Sequence, residues 1–420
     1  MNVTTGEPVR ARYPLLSSTG FLWFWSADSL SMVGTYITAL ALQVLAVQTL
    51  RASPIELGVL GAARWLPYLL FGLIAGVLVD RYRRRPVLVV ADLVRAGLLA
   101  LIPLSAAMDV LSMPLLIAVV LVFGTVSLAY DAAHQSFLPT LVPPELLTPA
   151  NARLEQSSAV AQTCGPVIGG WLIRIVGAPL AIMVDAVSYL ISGLIVARLR
   201  VAERSGPPEH RNLRRELREG LTWVYGHRML GPLALASHGW FFGSAMVSTV
   251  YVLFVIDELG FDAAALGLTF ALGGVGAVAG SSVADRAGRR FGIGPTIIAG
   301  RWLTPAGYAL IPLAHNGVTG LTLLCTAQFL FGVSIGVDSP LEMGYRQSVT
   351  PDRLLGRMNA TMRSLNRAAI VIGAPIGGVL AAWLGIRWTV WIAVVGLLIP
   401  ALALIASGFR HARSGADQSR

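Results

Sequence analysis

Residues Gly76–Ala96 read GVLVDRYRRRPVLVVADLVRA. Arg81, Arg83, Arg84 and Arg85 stand within five positions, directly behind Asp80, between two runs that are almost wholly apolar. A helix of about 20 apolar residues crosses the hydrocarbon of a bilayer, and arginine-rich loops are held on the cytoplasmic side. The stretch therefore reads as a cytoplasmic turn between two membrane helices. The rest of the chain agrees. It is 420 residues long, 55% hydrophobic and 13% charged, where soluble domains carry roughly 25% charged residues. Its mean hydropathy is +0.69.

Cutting at charge clusters and Pro/Gly punctuation gives twelve candidate spans, near 20–48, 55–79, 86–108, 111–134, 151–175, 178–198, 229–256, 264–284, 292–314, 317–345, 359–384 and 386–409. All 32 basic residues are arginine. With both termini cytoplasmic, the outer loops keep only Arg51, Arg174 and Arg387, which is the orientation that arginine placement selects. The polar stretch 198–228 divides the spans, and EHRNLRRELREGLTWVYGHRML within it reads as an amphipathic helix on the membrane surface. The expected organisation is a cytoplasmic tail 1–19, a six-helix bundle 20–198, a linker 199–228, a second bundle 229–409 and a tail 410–420.

Composition excludes several activities. A chain without lysine has neither a Walker A phosphate loop nor a Schiff-base nucleophile. The net charge of +10 sits in short loops rather than beside stacking aromatics, so no nucleic-acid partner is expected. Cys164 and Cys325 lie inside apolar runs and suggest neither disulfide nor metal, and the six histidines lack ligand spacing. GVSIG, Gly332–Gly336, fits a nucleophile elbow in letters only, because that elbow needs a strand-to-helix turn and this run is one continuous apolar span. No catalytic residues are expected, and a polytopic membrane enzyme lacks any convergent catalytic set.

The second half of the chain repeats the first. DRYRRR at Asp80–Arg85 matches DRAGRR at Asp285–Arg290, and Gly72 and Gly76 ahead of the one match Gly276 and Gly280 ahead of the other. FGTVSLAYD, Phe123–Asp131, parallels FGVSIGVD, Phe331–Asp338. Farther on, Pro143, Leu146, Leu147, Asn151, Ala152 and Gly169–Gly170 match Pro351, Leu354, Leu355, Asn359, Ala360 and Gly377–Gly378. Two parallel halves of six helices each would place a binding site between them near the bilayer midplane.

These motifs resemble the major facilitator superfamily. GVLVDRYRRRP is similar to its motif A, with a degraded second copy at Asp285 and Arg286. CGPVIGG, with Gly165, Pro166, Gly169 and Gly170, resembles the motif C core of drug–proton antiporters. FLPTLVPPELLTPANARLEQ followed by MVDAVSYL resembles the branch of macrolide efflux pumps and enterobactin exporters. Three departures stand out: Ala161 replaces the leading glycine of motif C, the fourth span lacks the motif B arginine, and Thr35 fills a position where this branch often has aspartate. The resemblance implies an all-α membrane protein of twelve helices in two pseudo-symmetric bundles. It implies export of a hydrophobic or amphiphilic small molecule, such as an antibiotic or siderophore, by alternating access in the inner membrane. Facilitated import or lipid and metabolite flipping in the same fold are the alternatives. No cofactor is expected; a proton gradient would supply the energy, lipids and cargo would be the partners, and the unit would be a monomer.

Charged groups inside spans need a reason, since each costs about 2.5–3.5 kcal/mol at the bilayer centre on insertion scales. Asp28 is a candidate proton or substrate site if the first helix lines the cleft. Asp131 and Asp338 share a repeat position, and Glu342 and Arg346 follow Asp338 at helical spacing, suggesting an ion-pair stripe where the halves meet or a proton relay. In the resemblance, Gly76, Asp80, Arg81, Arg84, Arg85, Asp92 and Arg95 belong to the gate around motif A, with Asp80 accepting backbone N–H bonds near Asn359. Arg363 and Arg367 would pair with Asp80 or Asp131, and Asp185 would serve packing or capping. GPVIGG would bend the fifth helix or pack it tightly. Trp25, Trp240 and Phe241 are candidate stacking surfaces for the cargo, whereas Trp23 reads as a membrane-interface residue.

Overall fold

The computed structural model describes residue 15 and residues 18–79, 82–199 and 213–412, with the side chains of 73–79 and 213–214 left aside. Asp80 and Arg81, the acid and first arginine of the motif A turn, lie outside the described residues, as do residues 1–14, 16–17, 200–212 and 413–420.

Thirteen helices account for the ordered elements, and there is no strand among the described residues. The first six are α1 (Thr19–Val44), α2 (Pro54–Val79), α3 (Arg84–Ala107), α4 (Met113–Phe137), α5 (Leu147–Val176) and α6 (Ala178–Arg198). Helix α7 (Leu213–Gly226) lies in the linker. The last six are α8 (Leu230–Leu253), α9 (Ala263–Phe291), α10 (Ile293–Tyr308), α11 (Val318–Val349), α12 (Asp352–Leu384) and α13 (Ile386–Ala406). Ten of them are long and apolar enough to cross a membrane. Helix α2, apolar over 26 residues, and the shorter α10, prolonged by a turn at Ile311–Leu313, complete twelve.

Helices α5, α9, α11 and α12 begin earlier or end later than the apolar runs suggest. Their charged ends, such as ANARLEQ in α5 and DRLLGRMNA in α12, continue the helix where water can solvate them. Cutting at charge therefore shortened them.

The repeat in sequence is a repeat in packing. Helix α1 packs on α5 and α6, α2 on α4, and α3 on α4 and α6; their counterparts repeat this, α8 on α12 and α13, α9 on α11, and α10 on α11 and α13. Across the halves, α5 packs on α9 and α12 on α2, again a matched pair. The connections repeat as well. Gly177 (φ 83°) alone joins α5 to α6, and Gly385 (φ 86°) alone joins α12 to α13. Only glycine takes that backbone without strain. Helices α1 and α8 each end in one π turn, Leu45–Thr49 and Phe254–Glu258.

Glycines set the closest helix crossings. A Cβ on Gly276 or Gly280 of α9 would fall 2.2 Å from the Phe329 carbonyl oxygen or 2.4 Å from that of Val333, both on α11. One on Gly332 or Gly336 of α11 would fall 1.9 Å from the Gly273 oxygen or 2.1 Å from that of Ala277. Backbones this close gain packing that a bilayer cannot supply by the hydrophobic effect.

With the side where α1 begins named inner and the opposite side outer, the core differs between the two. On the outer side one apolar cluster runs through both halves, from Leu40, Val44 and Leu60 to Val250, Phe254 and Leu397. On the inner side the halves have separate clusters, one around Phe21, Phe24, Leu88 and Phe137 and one around Leu233, Ile297, Tyr345 and Phe409. The outer ends are sealed into one body, and the inner ends are two.

Candidate transport cavity

The outer seal rests on the glycine motif. In α5, a Cβ on Gly165 would meet the Tyr36 Cβ of α1 at 2.5 Å, and one on Gly169 would meet the Ile37 Cα at 3.3 Å. The next residue faces the other half: a Cβ on Gly170 would sit 2.4 Å from the Ala263 oxygen of α9, and one on Gly267 would sit 2.4 Å from the Pro166 oxygen. The repeat copy does the same. Gly373 and Gly377 of α12 lie against Phe242 and Met246 of α8, and a Cβ on Gly378 would fall 2.3 Å from the Pro54 oxygen of α2. Helix α5 passes through Pro166 unbroken. Arg174 of α5 adds an ion pair to Asp262, ahead of α9, at 3.4 Å.

Beneath this seal a cavity of about 210 Å³ opens, lined by α1, α2, α3, α4, α6 and one residue of α12. Asp28, with a side chain only 4% exposed, reaches it from α1; its Oδ1 lies 3.0 Å from His134 Nε2, and its Oδ2 is buried with no hydrogen-bond partner. Thr35, two turns on, donates to the Ser31 carbonyl at 2.9 Å and shares a 2.8 Å hydrogen bond with the Tyr189 hydroxyl. Arg95 of α3 is buried, pairs with Asp92, and holds its guanidinium between the rings of Tyr130 and Tyr189, 3.8 and 4.2 Å from their centroids. Ser192 donates to the other Asp92 oxygen at 2.8 Å. A buried cation is tolerated when paired and enclosed by ring faces.

Asp131 accepts a hydrogen bond from the Tyr68 hydroxyl at 2.7 Å. The expected pairing of Arg363 or Arg367 with this acid is not what forms. Neither arginine makes an ion pair among the described residues. Arg367 lies over the Trp65 ring instead, 3.8 Å from its centroid, where a planar guanidinium stacks well.

The equivalent position in the second half is wired differently. Arg301 of α10 meets Asp338 at 3.2 Å and Glu342 at 2.6 Å, and also donates to Ser237 at 2.8 Å. Arg346 closes the set onto Glu342 at 3.1 Å. This network joins α8, α10 and α11 inside one half, so the stripe through Asp338, Glu342 and Arg346 is not at the meeting of the halves.

The aromatic candidates have partners of their own. Trp25 donates from Nε1 to Ser157 of α5 at 2.8 Å. Trp240 donates to Thr304 at 3.0 Å and stacks on Phe331 with centroids 5.8 Å apart, while Phe241 meets Trp240 edge-on at 5.0 Å. None of the three lines the 210 Å³ cavity. Asp185 is fully buried, accepts from Ser188 at 2.9 Å and packs under Gly34 of α1. Around motif A, Arg85 donates to the Val196 carbonyl at 3.2 Å and to that of Ala197, capping the end of α6. Asp285 pairs with Arg289 one turn along its own helix, both exposed, and Arg286 is exposed beside them.

Among the residues at the site that were not singled out in the sequence are Trp65, Tyr68, Tyr130, His134 and Tyr189. The signal for His134 was its place three residues after Asp131, which sets it on the same side of α4. The aromatic residues carry no signal in a chain where every face is apolar.

A profile of the family described as transmembrane secretion effector matches residues 11–420. The multidrug efflux pump Tap of Mycolicibacterium fortuitum is 28% identical over 398 residues, covering 88% of this chain and 90% of its own. Macrolide efflux protein A of Streptococcus pyogenes is 21% identical over 389 residues, covering 92% and 94%. The MFS-type transporter YfiS of Bacillus subtilis is 25% identical over 408 residues and 92% of each chain. Among solved structures, the nucleoside transporter NupG superposes with a TM-score of 0.73 at 12% identity, covering 93% of this chain and 99% of that one. A bacterial homologue of the lysosomal transporter Spinster, inward-facing and unoccupied, gives 0.71 at 14% identity, covering 94% and 98%. At those identities the structures show the fold alone. The chain is a multi-pass membrane transporter, not an enzyme, and belongs to the transmembrane secretion effector family of the major facilitator superfamily.

Proposed function

We propose that this transporter is a proton-coupled exporter of hydrophobic or amphiphilic small molecules, working by alternating access as a monomer in the cytoplasmic membrane with both termini inside. One observation carries the reading: a single core seals the outer ends, the inner ends have separate cores, and a cavity with charged side chains in its wall lies at the depth where they part. A cleft open to the side from which cargo is collected suits a pump in its loading state. The efflux proteins among its relatives support the direction.

Asp28 is the coupling carboxylate of this proposal. It is enclosed, it touches the cavity, and one of its oxygens has no partner. A buried carboxylate oxygen without a hydrogen bond calls for a partner, which the cavity can admit. His134 against its other oxygen supplies a second titratable group. The test is uptake of a fluorescent drug into inverted vesicles with an imposed pH gradient. Accumulation that a protonophore abolishes, and that Asp28→Asn reduces to the level of passive entry, is the expected result. Accumulation indifferent to the protonophore removes proton coupling, and full gradient-driven transport by Asp28→Asn removes Asp28 from it.

A further inference from the structure

The charges around the cavity do not all find partners. Asp28 has His134, Asp131 has Tyr68, and Arg95 has Asp92 together with two tyrosine rings. Two cations remain. Arg64 of α2 and Arg367 of α12 both line the cavity, and both lie over Trp65, 5.4 and 3.8 Å from its ring centroid. Neither has an ion pair or a side-chain hydrogen bond among the described residues, and Arg367 Nε is buried without an acceptor. Two guanidiniums sharing one indole repel each other, and the rings of Trp65 and Tyr68 offer no lone pair to their N–H groups. What would satisfy them is an oxyanion, whose paired oxygens accept two N–H bonds from a guanidinium fork.

We propose that Arg64 and Arg367 form a clamp for the anionic group of the cargo, a carboxylate, sulfonate or phosphate, while Trp65, Met32 and Phe123 take its apolar part. This rests on reading the cavity as a cargo site. It narrows the cargo to amphiphilic anions. The two arginines come from opposite halves, so an anion held by both bridges them, and it loses one of its two anchors when the halves move apart. An inside-negative membrane potential favours the exit of such a cargo.

The test uses the purified full-length protein and two probes of similar shape, dansylglycine and dansyl-ethylenediamine, with energy transfer from tryptophan to the dansyl group as the readout. The carboxylate probe is expected to bind at least about tenfold more tightly than the ammonium probe. Arg64→Gln and Arg367→Gln should each remove that preference, weakening the carboxylate about tenfold and leaving the ammonium probe unchanged or tighter. Circular dichroism and gel filtration exclude misfolding, and equal weakening of both probes in a variant that stays folded and monodisperse overturns the assignment. Equal affinities, or a carboxylate preference that survives both substitutions, also overturns it. Vesicle transport separates the two readings: arginine-dependent binding without gradient-driven movement sinks export and keeps the clamp, whereas pumping of the ammonium probe alone sinks the clamp and keeps export.

Discussion

Adding one methyl group at Gly170 should open the outer seal without unfolding the protein. The new Cβ would sit 2.4 Å from the Ala263 oxygen and 3.1 Å from the Ala264 Cα, both across the seam between the halves. An unstrained carbon–oxygen contact is near 3.2 Å, so α5 and α9 must part locally by about 0.8 Å or absorb an overpacking cost of about 1–3 kcal/mol. That cost falls only on states in which the seam is closed. It therefore shifts the balance of conformations by a factor of roughly 5–150 toward the outward-open form. Gly378→Ala, whose Cβ would lie 2.3 Å from the Pro54 oxygen across the matching seam, should act alike. The assay is pulsed electron resonance between nitroxides at Ile175→Cys and Asp257→Cys, both exposed at the outer ends of opposite halves, after Cys164 and Cys325 are replaced by serine. The longer distance should gain population. Gly332→Ala is the control, because its Cβ would meet the Gly273 oxygen at 1.9 Å inside one half. It should lower the melting temperature by several degrees and leave the distance unchanged. Should Gly170→Ala depress melting while the distances stay put, the seam is ordinary packing and not a gate.

Arg301→Met should be severely destabilising, by about 3–5 kcal/mol, since it leaves Asp338 and Glu342 buried with Arg346 as their one cation. Adding Glu342→Met should recover most of the loss, which thermal unfolding in detergent would measure; a double variant no better than the single one would show that the charge balance is not what matters. The linker helix gives a pH dependence. Hydrogen bonding from Arg215 holds the Glu219 carboxyl below its ordinary value, with Arg357 and Arg353 adding to it. A depressed acid lends its stability above the ordinary glutamate range of about 4.3 and loses it as pH falls through the lowered value. Docking of α7 on α12 should thus be constant from neutral pH down to about 5 and loosen only below about 4, with limited proteolysis of the linker as the readout. Cleavage that rises between pH 7 and 5 would contradict this.

The fold was legible because two of its signals survive in an apolar chain. Arginine-rich turns mark where helices leave the membrane, and Asp80–Arg85 with Asp285–Arg290 mark the repeat. The glycine pairs Gly169–Gly170 and Gly377–Gly378 were visible as a match, and the second member of each, Gly170 and Gly378, proves to set a seam between the halves. The cavity was less legible. Asp28, Asp131 and Arg95 could be found because a charge inside a span has a cost. Their tyrosine partners could not, since Tyr68, Tyr130 and Tyr189 are hydrophobic enough to sit anywhere in a membrane helix, whereas His134 was marked by its place after Asp131. Which face of α2 turns inward is decided by packing against α4 and α12, not by an apolar stripe, because the lipid-facing side is as apolar as the core. The same gap hid the Trp65 ring beneath Arg367, which stands there in place of the Asp131 alternative.

The asymmetry between the halves says where the chemistry sits. Arg95 and Arg301 occupy corresponding helices, and Asp131 and Asp338 occupy the same repeat position. In the second half the two are joined directly, with Glu342 and Arg346 completing a closed set that leaves little charge to offer. In the first half they are kept apart: Arg95 is given to Asp92 and two tyrosines, and Asp131 to Tyr68 at the cavity wall. Direct pairing gives a rigid half against which to move. Separation leaves an acid, a histidine-bound carboxylate and two arginines without an ion pair among the described residues around one space, each able to change partner when a proton or a charged cargo arrives. A duplicated bundle starts with both sites alike, so the half that has given up its internal ion pair is the one where coupling should be sought. Asp131→Asn should therefore impair transport more than stability, and Asp338→Asn the reverse; transport rates and melting temperatures for the two variants, measured side by side, decide whether that division holds.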